Sequence, residues 1–285
     1  MARALASVFV LAALTGCTAT LSRRPGAYGR PSAGWQVGAV RLADRGRDWR
    51  VLRDDAMGGQ HWGTARLVAM VEQVARGARA SREGVPLTVG DLSAVRGGQI
   101  PHHASHRAGR DVDLLFFTRD AARDAPVVTP EFVRYDAAGD SVRWPVALRF
   151  DVPRNWAVVE SVVQAEGVAV NRIFVAAWIE RLLLAHARSA GRPGWVVERA
   201  DRLMHQPGDA APHDDHFHVR IACTPEERAL GCADGGPLWP WLEKDGEKGD
   251  SAPADDDTVL ALMAPLPEVP ARRPQAHAIE GPPPR

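Results

Sequence analysis

Apolar positions recur along this chain with two different periods, which predict helices and strands. From Trp62, apolar residues fall at positions 67, 68, 71 and 74, the spacing of one face of an α-helix. The segments NWAVVESVVQAEG (155–167) and AWIERLLLAHAR (177–188) predict two more helices, the first of which should stop at Gly167.

Short runs of β-forming residues predict strands between these helices. The runs are PLTVGDLS (86–93), DVDLLFF (111–117), VNRIFVAA (170–177) and HFHVRI (216–221). Strands and helices mix without a regular β-α-β alternation. The sequence therefore predicts an α+β domain, with a small, mainly antiparallel sheet and flanking helices.

The first 17 residues have the composition of an export signal. A charged start at Arg3 precedes an apolar run that is too short for a bilayer, which needs about 20 residues, and then LTGC. Leu14–Cys17 resembles the bacterial lipobox, so we expect residues 1–17 to be a lipoprotein signal peptide and Cys17 to be lipidated. Cleavage without lipid and a buried N-terminal helix are the alternatives.

The rest of the chain divides by composition. Residues 18–34 are rich in Ser, Thr, Pro, Gly and Arg, which predicts a tether. Residues 35–245 carry the periodic segments and predict the folded domain. Residues 246–285 are rich in Pro and acidic residues and predict a disordered tail, with one apolar patch at 258–266.

Charge and cysteine content limit the possible partners and compartment. The 35 basic and 35 acidic residues balance, and the arginines are dispersed, so neither nucleic acid nor an anionic membrane surface is favoured as a partner. Besides Cys17, the chain has only Cys223 and Cys232. Export favours a disulfide between them, and two free thiols are the alternative.

Two histidine clusters indicate a metal site. In the predicted strand HFHVRI, His216 and His218 share one face, while Phe217, Val219 and Ile221 point into the core.

The first cluster, HHASHRAGRDVDL (102–114), precedes and enters the predicted strand DVDLLFF. Asp111 and Asp113 share a face of that strand, and a tight loop at Gly109 allows His106 to approach Asp113. If the 216–221 strand lies alongside, then His106, Asp113 and His218 converge. Three such ligands and an open fourth position are typical of catalytic zinc. The alternative is histidines that only make hydrogen bonds.

The same segments resemble a known family. GDLS (90–93), HASH (103–106), GRDVDL (109–114), RIFV (172–175) and HDDHFHVRI (213–221) are similar to the penicillin-insensitive murein endopeptidases. These belong to a zinc-peptidase group with lysostaphin, D-Ala-D-Ala carboxypeptidase and hedgehog domains. The resemblance covers about residues 60–235.

The resemblance implies roles for individual residues. His106, Asp113 and His218 would be the zinc ligands, His216 the catalytic histidine and His213 a supporting histidine. It also supports pairing of Cys223 with Cys232.

Other residues near these motifs are less clearly assigned. Some members carry a second zinc on the residue that corresponds to His103, but residues 107–185 contain no histidine. We therefore expect one Zn²⁺ per chain, with His103 lining the substrate pocket and His102 solvated. Asp111 and Asp214 either orient histidines or are plain turn or surface acids.

The implied reaction is hydrolysis of peptidoglycan cross-links, between D-alanine and meso-diaminopimelate on the peptide stems. The chain has neither the HExxH motif nor the S-x-x-K of serine enzymes, so His216 would act as the acid or base. The implied location is the periplasm, with a lipid anchor in the outer membrane as the only membrane attachment. The alternatives are a D,D-carboxypeptidase or dipeptidase, and a non-catalytic zinc-containing wall-binding lipoprotein.

Overall fold

A computed structural model of the chain describes residues 24–52, 60–80, 84–129, 131–208, 210–237 and 239–241. The helices there are α1 (Ala65–Ala80), α2 (Val152–Val163), α3 (Ala177–Ser189), α4 (Gly194–Leu203) and α5 (Pro225–Ala229). The strands are β1 (Gly26–Arg30), β2 (Ala33–Val37), β3 (Val40–Arg41), β4 (Trp49–Val51), β5 (Trp62–Gly63), β6 (Leu87–Val89), β7 (Asp111–Leu115), β8 (Thr118–Asp120), β9 (Ala125–Val127), β10 (Leu148–Phe150), β11 (Val170–Phe174), β12 (Met204–His205) and β13 (His216–Ile221).

A mixed, mainly antiparallel sheet lies at the centre, as the sequence predicted. Its strand order is β12-β11-β13-β7-β6-β4. The three inner pairs are antiparallel, and the two edge pairs, β11 with β12 and β6 with β4, are parallel. Smaller pairings involve β1 with β2, β3 with β5, and β8 with β9 and β10.

One face of the sheet carries the apolar core. Phe217, Val219 and Ile221 are fully buried, as predicted, in a cluster that includes apolar residues of α1 to α4. Leu67 and Val71, on the periodic face of α1, belong to the same cluster. Alternation along β13 therefore turns its histidines to the other face.

Two predictions about element boundaries are wrong. The tether expected over 18–34 contains a β-hairpin, in which β1 pairs with β2 from Gly26↔Val37 to Arg30↔Ala33. The chain reverses at Pro31 and Ser32, so a segment of loop-like composition pairs as strands. Residues 18–23 lie outside the described part, as do 1–17 and 246–285.

The helix expected to stop at Gly167 ends earlier, at Val163. The backbone N–H of Ala165 donates to the carbonyl of Val162, which tightens the end of the helix, and Gly167 then takes a φ of 70° in the following loop. No helix in the described ranges is long and apolar enough to cross a membrane.

Candidate metal centre

The pairing of β7 with β13 places the two sequence motifs side by side. His218 is paired with Asp113, and the next pair on the same face is Arg220 with Asp111. Residues that are paired across strands share a face, so Asp111, Asp113 and His218 lie together on the face opposite the core.

His106 reaches this face from the loop before β7. Its Nδ1 lies 2.6 Å from the carbonyl oxygen of Leu92, so it carries the proton and Nε2 faces Asp113. Its φ of 63° is in the left-handed region, which is uncommon for a residue other than glycine. Gly109 allows the tight return of the loop, because a Cβ there would lie 1.8 Å from Oε1 of Gln36.

The three expected ligands are brought together. Oδ1 of Asp113 lies 3.3 Å from Nε2 of His106 and 3.5 Å from Nδ1 of His218. Ligands about 2.0–2.1 Å from a tetrahedral zinc are separated by roughly 3.4 Å. His106 Nε2 and both Asp113 oxygens are buried and have no hydrogen-bond partner among the described residues. Buried polar atoms without partners are costly, and a metal ion would satisfy them.

The charges at the site favour a bound cation. Burial alone would raise the pKa of Asp113, but the neighbouring histidines hold it well below its usual value. Burial lowers the pKa of His218 to about 4, helped by the charge of His106. Burial alone would lower the pKa of His106, but the charge and hydrogen bond of Asp113, the charge of Asp111 and the carbonyl of Leu92 together raise it to about 9. The anionic Asp113 therefore attracts a positive charge to this centre, and a bound metal ion would replace the proton that it holds on His106.

Asp111 orients His218 from behind. Its Oδ1 lies 2.8 Å from Nε2 of His218 and accepts a 2.6 Å hydrogen bond from Nε of Arg220. The proton of His218 is thus held on Nε2, and Nδ1 is left to face Asp113. The sequence left two roles open for Asp111, and its contact with His218 is the one that an orienting partner would make.

His216 stands beside the expected ligands and is oriented by Asp215. Its Nδ1 lies 2.5 Å from Oδ1 of Asp215, while its Nε2 lies 3.4 Å from Oδ1 of Asp113. Burial would lower its pKa, but the charges of Asp113 and Asp215 raise it. Asp214 does not serve this purpose, because its carboxylate accepts a fork of hydrogen bonds from Arg134.

His213 packs against both histidines of β13. Its ring centroid lies 5.0 Å from that of His216 and 5.5 Å from that of His218. Burial, together with the charges of these two histidines, lowers its pKa to about 3, so it is neutral at physiological pH. Its buried Nδ1 has no partner among the described residues.

His103 is held by a carboxylate. Its Nε2 lies 2.9 Å from Oδ2 of Asp91, and its Nδ1 lies 3.9 Å from Oδ2 of Asp113. It lines a cavity of about 450 Å³ together with His213, His216 and His218. His102, exposed with a φ of 60°, lies at the same cavity.

Two separate groups in the described residues could each hold an ion. One is His103, His106 and Asp113, and the other is His213, His216 and His218, with ligand atoms within 4.8 Å in each group. The expected ligand set takes two residues from the first group and one from the second. A disulfide joins Cys223 to Cys232 nearby in the chain, which confirms that prediction.

Comparison with known proteins agrees with this arrangement of residues. The sequence model of the penicillin-insensitive murein endopeptidases matches residues 27–250. This chain belongs to that family. The match begins inside the β1–β2 hairpin, so the family's domain includes part of the segment expected to be a tether.

Individual relatives carry the same family name. The penicillin-insensitive murein endopeptidase of Haemophilus influenzae is 27% identical over 223 residues, covering 73% of this chain and 70% of the relative. That of Yersinia enterocolitica is 28% identical over 216 residues, covering 74% and 70%. That of Pectobacterium atrosepticum is 26% identical over 255 residues, covering 85% and 82%.

Sequence reasoning did not assign three residues of this site, namely Asp91, Asp215 and Arg220. Asp215 was overlooked in favour of its neighbour Asp214. Arg220 could have been found from the strand period, because it lies two residues beyond His218 and therefore on the same face. Asp91 gave no such signal, since its contact with His103 depends on the path of a loop.

Proposed function

We propose that the protein is a zinc-dependent murein endopeptidase that hydrolyses peptidoglycan cross-links between D-alanine and meso-diaminopimelate. The observation that carries the proposal is the set of buried, unpartnered donor atoms at His106 and Asp113, joined by Nδ1 of His218. Family membership supplies the substrate class, since the relatives are named as murein endopeptidases.

The residues fit zinc in both kind and number. Two imidazole nitrogens and one carboxylate are ligands that zinc accepts, and three protein ligands leave a position for water or substrate. A bound zinc ion would polarise the scissile carbonyl and lower the pKa of a water ligand to about 7.

In this proposal His216 moves the protons. Its Nε2 faces the centre, and Asp215 on Nδ1 holds the ring in place and stabilises its charged form. It would take the proton from the attacking water and deliver one to the leaving amine. His213, neutral at physiological pH, would support His216 through their ring contact and offer its free nitrogen to the reacting groups.

The place of action follows from the substrate and the expected signal. Peptidoglycan lies outside the inner membrane, so we expect the enzyme in the periplasm. Cys17, outside the described residues, would carry a lipid anchor. It is followed by Thr18 and not by the aspartate that retains many lipoproteins at the inner membrane, which favours the outer membrane.

The direct test is digestion of purified sacculi followed by mass mapping of the released muropeptides. We expect cross-linked dimers to become monomers, with the reaction stopped by a chelator and restored by zinc. Release of terminal D-alanine alone would indicate a D,D-carboxypeptidase. Binding of sacculi without any cleavage would indicate a wall-binding lipoprotein.

A further inference from the structure

Arg220 lies on the same face as the candidate metal centre. Alternation along β13 puts it in line with His216 and His218, and its side chain is only 10% exposed. Nε donates to Oδ1 of Asp111 at 2.6 Å, and the guanidinium lies 5.1 Å from the ring of Phe174. The group is therefore fixed in position before any substrate arrives.

The edge of this guanidinium that carries the two terminal nitrogens is free to bind a ligand. Within the described part of the chain, neither terminal nitrogen of Arg220 has a hydrogen-bond partner, whereas Nε has one. Arg220 lines the histidine cavity and also a second cavity of about 490 Å³. Ala104 and Ser105 line both cavities as well, so the two adjoin along this segment.

The second cavity leads away from the histidines toward the turn of the β1–β2 hairpin. Arg30, exposed at the end of β1, lines it. A ligand that extends from the histidines past Arg220 would meet a second positive charge there. The groove is therefore suited to a chain that carries carboxylates.

A fixed arginine with two free terminal nitrogens matches the geometry of a carboxylate. In a cross-link between D-alanine and meso-diaminopimelate, a free carboxylate sits on the carbon that bears the scissile nitrogen. We propose that the terminal nitrogens of Arg220 bind this carboxylate, making Arg220 a specificity-determining residue. This inference rests on the proposed function for the identity of the substrate.

The competing explanation is that Arg220 acts only by positioning Asp111 and, through it, His218. The two explanations differ in one measurable respect. A positioning role affects every substrate equally, whereas binding of a carboxylate affects only a substrate that has one.

The experiment uses two cross-linked muropeptide dimers that differ only at that carboxylate, free in one and amidated in the other. For the zinc-loaded wild-type enzyme we expect kcat/KM to be about 10-fold to 100-fold higher for the free carboxylate. In Arg220→Gln, the ratio of kcat/KM between the free and the amidated dimer should fall to within about 3-fold of unity. This holds even if the substitution lowers kcat/KM for both dimers. Arg172→Gln is the matched control, because it removes a charge from the adjacent strand outside both cavities and should keep the wild-type ratio.

If Arg220→Gln lowers kcat/KM equally for both dimers and so preserves the wild-type ratio, the inference is overturned and Arg220 acts by positioning alone. A wild-type ratio near unity would overturn it as well. Calorimetry can measure the affinity of the enzyme for the product stem peptide with a free carboxylate and with an amidated one. This test of the carboxylate site does not depend on cleavage, so it is separate from the proposed function. If no dimer is cleaved but the free carboxylate still binds in an Arg220-dependent manner, the endopeptidase proposal fails and the carboxylate site stands. If no dimer is cleaved and the product stem peptide binds equally well with and without the amide, both the endopeptidase proposal and the carboxylate site fail.

Discussion

Nε2 of His218 lies 2.8 Å from Oδ1 of Asp111, on the side of the ring away from the other expected ligands. That contact decides which nitrogen of His218 is free for a metal. Because Asp111 also accepts a hydrogen bond from Arg220, its carboxylate is held in place from two sides.

The Asp111→Asn substitution should weaken zinc binding by roughly 10-fold to 100-fold, because the outer partner of a histidine ligand sets its orientation and basicity. Competition with a chelator of known affinity measures the change. Asp214→Asn is the matched control, since that carboxylate is bound by Arg134, and it should leave the affinity within about 2-fold. Equal affinities for wild type and Asp111→Asn would contradict the orienting role.

Alanine at His106, Asp113 or His218 should abolish both zinc binding and hydrolysis. Alanine at His216 should lower kcat by about 10²-fold to 10⁴-fold and leave most of the zinc bound, because it removes the acid or base and not a ligand. Metal analysis beside kinetics separates the two effects. His205→Ala, an exposed histidine on β12, serves as control. If His216→Ala loses zinc as completely as His218→Ala, the division of roles is wrong.

We predict one tightly held zinc per chain. His103 is engaged by Asp91 at 2.9 Å, and no histidine lies between residues 107 and 185 to complete a second site on its side. Metal analysis after dialysis against metal-free buffer gives the count. Two zinc ions that both survive dialysis, with the second lost in His103→Ala, would make the enzyme dinuclear.

Tyr135 should resist ionisation at high pH. Burial raises its pKa to about 12, although its hydrogen bond with the Thr118 hydroxyl lowers the pKa. The tyrosine of the unfolded chain ionises near pH 10, so stability is lost as pH rises from about 10 to about 12, by up to about 3 kcal/mol. Tyr28→Phe leaves Tyr135 as the only tyrosine, which allows an absorbance titration.

Denaturant unfolding at each pH checks the consequence of this shift for stability. Tyr135→Phe should flatten the decline above pH 10, and the Thr118 hydroxyl would keep its contact with the carbonyl of Phe116. Ionisation of Tyr135 near pH 10 in the folded Tyr28→Phe protein would refute the prediction.

Cys17→Ser should move the protein from the membrane fraction to the soluble periplasmic fraction. The expected cause is loss of the lipid, since Cys17 stands where a lipobox needs its cysteine. Immunoblotting of fractionated cells measures the distribution, and Cys223→Ser is the control that keeps Cys17. Unchanged membrane association would indicate another anchor, for which the apolar segment 258–266 is the first candidate.

The sequence by itself determined the features that depend on local periodicity. The period of two placed His216 and His218 on one face of a strand, and helical spacing located α1 and α3. It could not locate the β1–β2 hairpin, because that segment has the composition of a loop and is ordered by pairing.

Only the tertiary structure decided which partner each polar side chain has. His218 and Asp111 are 107 positions apart, and their contact depends on the register of β13 against β7. Asp214 and Asp215 are adjacent and chemically identical, yet the first binds Arg134 and the second His216, because the bend before β13 directs their side chains to different partners. Hydrogen bonds are short and directional, so their partners follow from the packed geometry and not from the order of residues.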